Sequence, residues 1–236
     1  CDIVHCNDWQ TGLAPAYLHW LAGHRARTLI TVHNLAFQGL FDRDVLPALG
    51  LPGQAYTMDG VEFHGHVSFL KAGLQFADAI TTVSPTYARE IQTDEQGMGL
   101  GGLLRYRADK LVGILNGIDT SVWNPATDPM IEARYDARSL EAKRANKTAL
   151  QRIFGLPERA DVALLGAVSR LTYQKGLDLL PAITDALACL PVQIALLGSG
   201  DPQLEHRLTE LAARYPDCIA VKTGFDETLA HRIEAG

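Results

Sequence analysis

VALLGAVSRLTYQKGLD, residues 162–178, sets an apolar run of strand composition against a polar loop and then a segment of helical period. The loop holds Arg170 and Lys175, with Gly176 directly after the second cation. An apolar run followed at once by a helix is half of a βαβ unit, and the same half recurs on both sides. VQIALLG (192–198) leads into a helix opening after Asp201, and CIAVKTG (218–224) leads into a final helix. Upstream, IVHC (3–6), TLITVH (28–33), AITTV (79–83) and LVGIL (111–115) alternate with helical segments. Alternation of this kind predicts an α/β fold with parallel sheets. The near-continuous apolarity of TLITVH predicts a strand covered on both faces.

Punctuation between the runs locates other features. Ser84 followed by Pro85 reads as N-cap and N1 of a helix, because proline has no amide hydrogen to leave unsatisfied there. A second helix is expected from about Val67 to Phe76. Residues 34–64 are rich in Gly, Pro and Asp and read as a long loop with short helical turns, a length usually tied to function. Residues 139–154 have the apolar spacing of an amphipathic helix through Leu140, Leu150, Ile153 and Phe154, closed by Gly155 and Pro157. The turn formers of NGIDTSVWNPATDP (116–129) suggest a linker, so the chain divides into domains at 1–116 and 117–236.

The chain has 27 acidic and 21 basic residues, a formal charge of −6. That balance argues against nucleic-acid or membrane partners, which favour a basic face, but leaves room for a local anion site. No apolar run reaches the length of a transmembrane helix, and no signal peptide precedes the first strand. Four cysteines, with no CxxC pair, are expected to be reduced and mostly buried in a cytoplasmic protein. The sequence opens at Cys1 inside a strand and closes in a helix, which is expected of a partial chain.

Ligands of open parallel sheets bind beyond the carboxyl ends of the strands. The loops there carry Asn7-Asp8-Trp9, His33-Asn34, Ser84-Pro85, Asn116-Gly117, Ser169 to Gly176 and Gly198 to Asp201. Arg170 offers a planar fork for phosphate and Lys175 a mobile charge. Lys175 and Gly176 are expected to open a helix whose amides and dipole add to an anion site. Gly198 and Gly200 either let a ligand approach the backbone or make the turn that Asp201 caps. His33 and Asp8 each have an equally ordinary reading, as a hydrogen-bonded strand end and an N-cap. GMGLGG (97–102) follows no strand directly and lacks the downstream acidic residue of a dinucleotide fingerprint, so NAD is excluded. Cys1, His5 and Cys6 could in principle touch a metal but form no zinc motif, and no carboxylate cluster completes a site at His64 and His66.

HCNDWQTGLAPAYL (5–18), TVHNLAFQG (31–39), SFLKAGLQFADAITTVSPTYAREI (68–91), LNGID (115–119), VSRLTYQKGLD (168–178) and LLGSGDP (196–202) together resemble bacterial glycogen synthase and plant starch synthase. They occur in that family's order and cover essentially the whole chain. The resemblance implies two Rossmann-like domains of the GT-B glycosyltransferase type, both truncated here, with the active site between the domains. The 1–116 part would be the end of the acceptor-side domain and 117–236 the start of the nucleotide-sugar domain. It implies retaining transfer of glucose from ADP-glucose to the non-reducing end of an α-1,4-glucan, with no metal and no cofactor. By resemblance, Arg170 and Lys175 match the diphosphate-binding pair, and His33 the histidine beside the donor glucose. Asp8 matches the aspartate facing the sugar and acceptor region, and Asn116 an asparagine near the donor glucose. Asn34, Gly198 and Gly200 stand beside these as substrate-binding candidates. Asn7 departs from the family, which often has histidine before the aspartate. A Lys-x-Gly-Gly-Leu loop before Cys1 and a glutamate-containing segment after Gly236 would complete the site, so the isolated 236 residues are expected to have little synthase activity. Another GT-B enzyme, such as a sucrose synthase relative, and a non-catalytic glucan- or nucleotide-binding module are the alternatives. The choice between ADP-glucose and UDP-glucose is not legible in the residues.

Overall fold

The computed structural model describes residues 1–21 and 26–236, which form two compact units, Cys1–Gly117 and Ile118–Gly236. In the first unit the order is β1 (Ile3–Asn7), α1 (Leu13–Trp20), β2 (Arg27–Val32), β3 (Leu40–Phe41), α2 (Leu46–Leu49), β4 (Glu62–Phe63), β5 (His66–Ser68), α3 (Phe69–Phe76), β6 (Ala79–Thr82), α4 (Pro85–Glu90), α5 (Gly101–Tyr106) and β7 (Leu111–Gly113). The second unit holds α6 (Lys143–Phe154), β8 (Ala163–Val168), α7 (Leu179–Leu187), β9 (Val192–Gly198), α8 (Pro202–Arg214), β10 (Ile219–Thr223) and α9 (Glu227–Ala235).

The first unit is built on a parallel sheet of order β1-β2-β6-β7. Cys6, Ile30, Val32 and Ile80 point from alternate positions into a core with Leu70, Leu74, Ile91, Leu100 and Leu104. The opposite face carries His5, Leu29, Thr31, Thr81 and Val112, all partly or fully exposed. TLITVH is therefore covered on one face and not on two, because the packed helices of this unit lie on the Cys6–Ile30–Ile80 side. Ser84 caps α4 by accepting from the Tyr87 amide at 2.8 Å, with Pro85 at the first helical position. Ser68 plays the same part for α3, accepting from the Lys71 amide at 3.1 Å. Val67 consequently belongs to strand β5 and not to the helix. The long loop also contains a small antiparallel sheet, β3-β5-β4, which its Gly and Pro content conceals.

In the second unit the parallel order is β10-β9-β8, and β9 is buried almost throughout. Ala195 and Leu197 face Leu150, Phe154, Leu229 and Ile233 of α6 and α9. Ile194 and Leu196 face Leu204 and Leu208 of α8. α6 begins at Lys143, after a 3-10 turn that leaves Leu140 58% exposed, and ends on left-handed Gly155 (φ 72°). The expected linker is not loose. Trp123 stacks on His231 of α9 with centroids 3.8 Å apart, and buried Asp128 meets His231 Nδ1 at 2.6 Å. Burial alone would raise the Asp128 carboxyl, but the Met130 amide and the His231 ring outweigh it and hold it below the usual carboxylate range.

Of the four thiols only Cys6 is buried, Cys218 is half-buried, and Cys1 and Cys189 are exposed, so burial is rarer than expected. Among the described residues no helix is long and apolar enough to cross a membrane.

Candidate active site

In the first unit the site grows from the adjacent carboxyl ends of β1 and β2, where Asn7 pairs with Thr31. Asp8 leaves the strand with φ 53° and ψ −166°, a conformation disfavoured for a residue with a Cβ and costing about 1–3 kcal/mol. It is held there from two sides. Its amide donates to Thr31 O at 2.9 Å, and its Oδ1 accepts from the His33 amide at 2.7 Å. His33 is exposed, and its Nε2 lies 3.0 Å from Asn7 Oδ1. Asn34 accepts from the Ala36 amide at 3.0 Å and so shapes the turn. The next amide, Leu35, is held by the Tyr87 hydroxyl at 3.0 Å. Trp9 wedges the β1 turn against the Phe-Gln-Gly loop. A Cβ on left-handed Gly39 would lie 2.4 Å from the indole, so only glycine fits. Asn116 lies exposed beyond β7 and makes no hydrogen bond among the described residues.

In the second unit the strand-exit loops of β8, β9 and β10 enclose a cavity of about 240 Å³. Ser169, Arg170, Gly198, Ser199, Gly224 and Phe225 are in its wall. Gly198 is needed for chain to pass chain, since a Cβ there would lie 1.8 Å from Ser169 O. At Gly200 it would lie 2.3 Å from Leu171 O, and the Gly200 amide already donates to Glu205 at 2.6 Å. Asp201 caps α8, accepting from the Gln203 and Leu204 amides at 2.9 and 3.0 Å. Arg170 and Lys175 are exposed, and among the described residues neither forms an ion pair. Lys175 does not open a helix. It ends a 3-10 turn, Tyr173–Lys175, closed by left-handed Gly176 (φ 70°), and α7 starts only at Leu179 after Asp178. The helix amides and dipole therefore do not reinforce Lys175, because the glycine reverses the chain first.

Residues 1–106 match the model of the starch synthase catalytic domain. Over 235 residues the chain is 60% identical to a glycogen synthase of Dechloromonas aromatica and 56% to one of Nitrosomonas eutropha, covering all of this chain in both cases. The chain is a relative of the bacterial glycogen synthases. It spans about half the length of these curated relatives, 48% and 47%. The solved catalytic domain of starch synthase IV from Arabidopsis thaliana, bound to ADP and acarbose, superposes with a TM-score of 0.89 at 36% identity. That match covers 100% of this chain and 50% of the plant chain.

Within this glycogen synthase relative, the structure joins Asp8, His33 and Asn34 at one pair of strand ends, and Arg170 and Gly198 at another. Lys175 and Gly200 are outside the residues named in the cavity wall. Sequence reasoning missed Phe225, whose ring is 88% exposed beside that cavity, on a loop with left-handed Gly224 (φ 119°). A bare aromatic between a strand and the Asp226 cap was the available signal. It also missed Tyr87, which helix periodicity hides as one more apolar contact. A larger space of about 810 Å³ in the first unit is walled by Phe63, His64, Lys71 and Tyr106 among others. Lys71 is buried there with its ammonium donating to Met58 O at 2.6 Å and to Glu62 O, and burial pulls its pKa down. Among the described residues no three His, Cys, Asp or Glu side chains converge as a metal site would require.

Proposed function

We propose that the chain belongs to a retaining glucosyltransferase of the GT-B type, with two Rossmann-like domains. Its reaction moves glucose from ADP-glucose to the non-reducing end of an α-1,4-glucan. One observation carries this reading. The Arg170 guanidinium, without an ion pair among the described residues, stands at a strand-exit cavity beside Gly198 and Phe225, in a chain 36% identical to a catalytic domain that holds ADP and acarbose. When the bond from glucose to the diphosphate breaks, negative charge grows on the departing phosphate oxygens. A guanidinium at the diphosphate stabilises that charge where it develops, and Lys175 on the same loop adds a mobile cation. Phe225 supplies an apolar face on which a nucleobase can stack.

In the first unit Asp8 and His33 present groups suited to sugar hydroxyls, with their backbones fixed by the contacts between β1 and β2. The strain at Asp8 supports a functional role, since the Thr31 and His33 contacts hold a conformation that the residue would not choose. Asn116 and Asn34 are assigned to the sugar-binding set on the same reading.

Calorimetric titration of the 236-residue chain with ADP tests the nucleotide half. Arg170→Ala is expected to weaken binding by roughly 10- to 100-fold, the worth of a charge-assisted hydrogen bond. Unchanged affinity would overturn the role of Arg170. Incorporation of glucose from ADP-glucose into glycogen, measured beside the Dechloromonas aromatica enzyme, reads the transfer itself.

A further inference from the structure

His33 ends β2 as an exposed imidazole, and its two ring nitrogens have different surroundings. Nε2 lies 3.0 Å from Asn7 Oδ1, while Nδ1 has no hydrogen-bond partner among the described residues. An amide oxygen carries only lone pairs, so the contact requires the proton to be on Nε2. In the neutral ring Nδ1 is then a bare acceptor.

Both ends of the contact are fixed through the backbone. The Thr11 hydroxyl lies 2.7 Å from Asn7 N and 2.8 Å from Asn7 O, and Asn7 is also in register with Thr31. The His33 amide donates to Asp8 Oδ1. The open face of the sheet, which Asn7 shares with Thr31, is polar as well. His5 Nε2 lies 2.7 Å from Thr31 Oγ1, which lies 2.7 Å from Thr81 Oγ1, and this chain leaves the His33 ring to Asn7 alone.

We propose that Asn7 is a positioning residue that fixes His33 as its Nε2–H tautomer, so that Nδ1 accepts a hydrogen bond from a sugar hydroxyl. The first half stands on the geometry alone, and the second rests on the glucosyl-transfer reading. A phosphate or carbonyl oxygen has no proton to give to Nδ1, so the ligand group here is a donor. The Asp8 carboxylate beside it is also an acceptor, and two neighbouring acceptors match a polyol and not an anion.

Long-range ¹H–¹⁵N correlation spectra of the labelled 236-residue chain, taken well above the ordinary imidazole pKa, read the tautomer directly. His33 is expected as Nε2–H in the wild type. In Asn7→Leu the Nδ1–H share should rise about fivefold, the worth of one ordinary hydrogen bond. Asn7→Asp keeps an acceptor at the same place and should retain the wild-type tautomer. Titration with ADP-glucose should then move Nδ1 in the wild type. A wild-type ring protonated on Nδ1, or an Asn7→Leu spectrum identical to wild type, would overturn the role of Asn7. An Nδ1 resonance that ignores bound ADP-glucose would sink the hydroxyl contact. Loss of the broader glucosyltransferase reading shows up elsewhere, as absent ADP affinity with the tautomer intact.

Discussion

β2 and β9 look alike as sequence and live in different surroundings. Each is an inner strand of a parallel sheet and each is rich in strand-forming residues, RTLITV and VQIALLG. β9 packs Ala195 and Leu197 on one side and Ile194 and Leu196 on the other, between helices on both faces. β2 buries Thr28, Ile30 and Val32 and leaves Leu29 and Thr31 only half-covered. Composition sets which residues prefer a strand, but the number of helices that arrive on each face sets how much each residue contributes. The difference also separates the candidate sites. In the first unit the open face carries a polar chain, His5–Thr31–Thr81, up to the His33 corner. In the second the candidate groups Arg170, Gly198 and Phe225 sit at strand ends, since both faces are occupied.

Substitution in the two strands should expose this contrast most strongly. Leu197→Ala empties a buried core site packed against α6 and α9 and should cost about 2–5 kcal/mol in urea unfolding. Leu29→Ala removes a half-exposed side chain and should cost about 1 kcal/mol or less. Equal losses would mean that the β2 face is covered after all.

Acid denaturation sharpens the comparison next. Each unit carries a carboxyl held below its usual range, Asp78 chiefly by the Thr28 amide and Asp128 by the Met130 amide and His231 against its own burial. A depressed folded-state pKa gives stability that is present above the unfolded value, about 3.9, and lost as pH falls through the folded value. Both units should therefore weaken below about pH 4. Asp128→Asn should flatten the acid limb more than Asp78→Asn, because Asp128 is buried and Asp78 is exposed. Circular dichroism against pH would show it, and an acid limb untouched by either change would refute the anchoring role.

Asp8→Ala removes the acceptor of the His33 amide, and alanine shares the disfavour for positive φ. The expected loss is about 1 kcal/mol, read from thermal unfolding. Phe225→Ala should be the mildest for stability, within about 0.5 kcal/mol, because the ring is exposed. It should still weaken ADP several-fold in calorimetry if the ring stacks on the base.

Much of the fold was legible. The apolar runs, the Ser84-Pro85 start, the Gly155 stop and the Asp201 cap depend on local chemistry, and local chemistry is written in the residues themselves. The helix expected at Lys175 failed because Gly176 adopts the left-handed turn that ends a 3-10 segment, a choice made by the loop's closure and not by its composition. The antiparallel β3-β5-β4 sheet stayed hidden because its strands are two or three residues long, too short for any periodicity. At the site, Asp8, His33 and Arg170 stood out as polar residues at strand ends. Phe225 did not, since one aromatic in a turn looks like any other until its exposure is known.

By itself the sequence determined the strand-and-helix alternation, the parallel α/β class and the kinship with glycogen synthases, all of which rest on local pattern or residue identity. Only the tertiary structure decided which faces are covered, that Gly198 and Gly200 serve chain crossing, and that Asn7 meets His33. Those depend on residues distant in sequence, and pairwise distance is what a linear pattern does not contain.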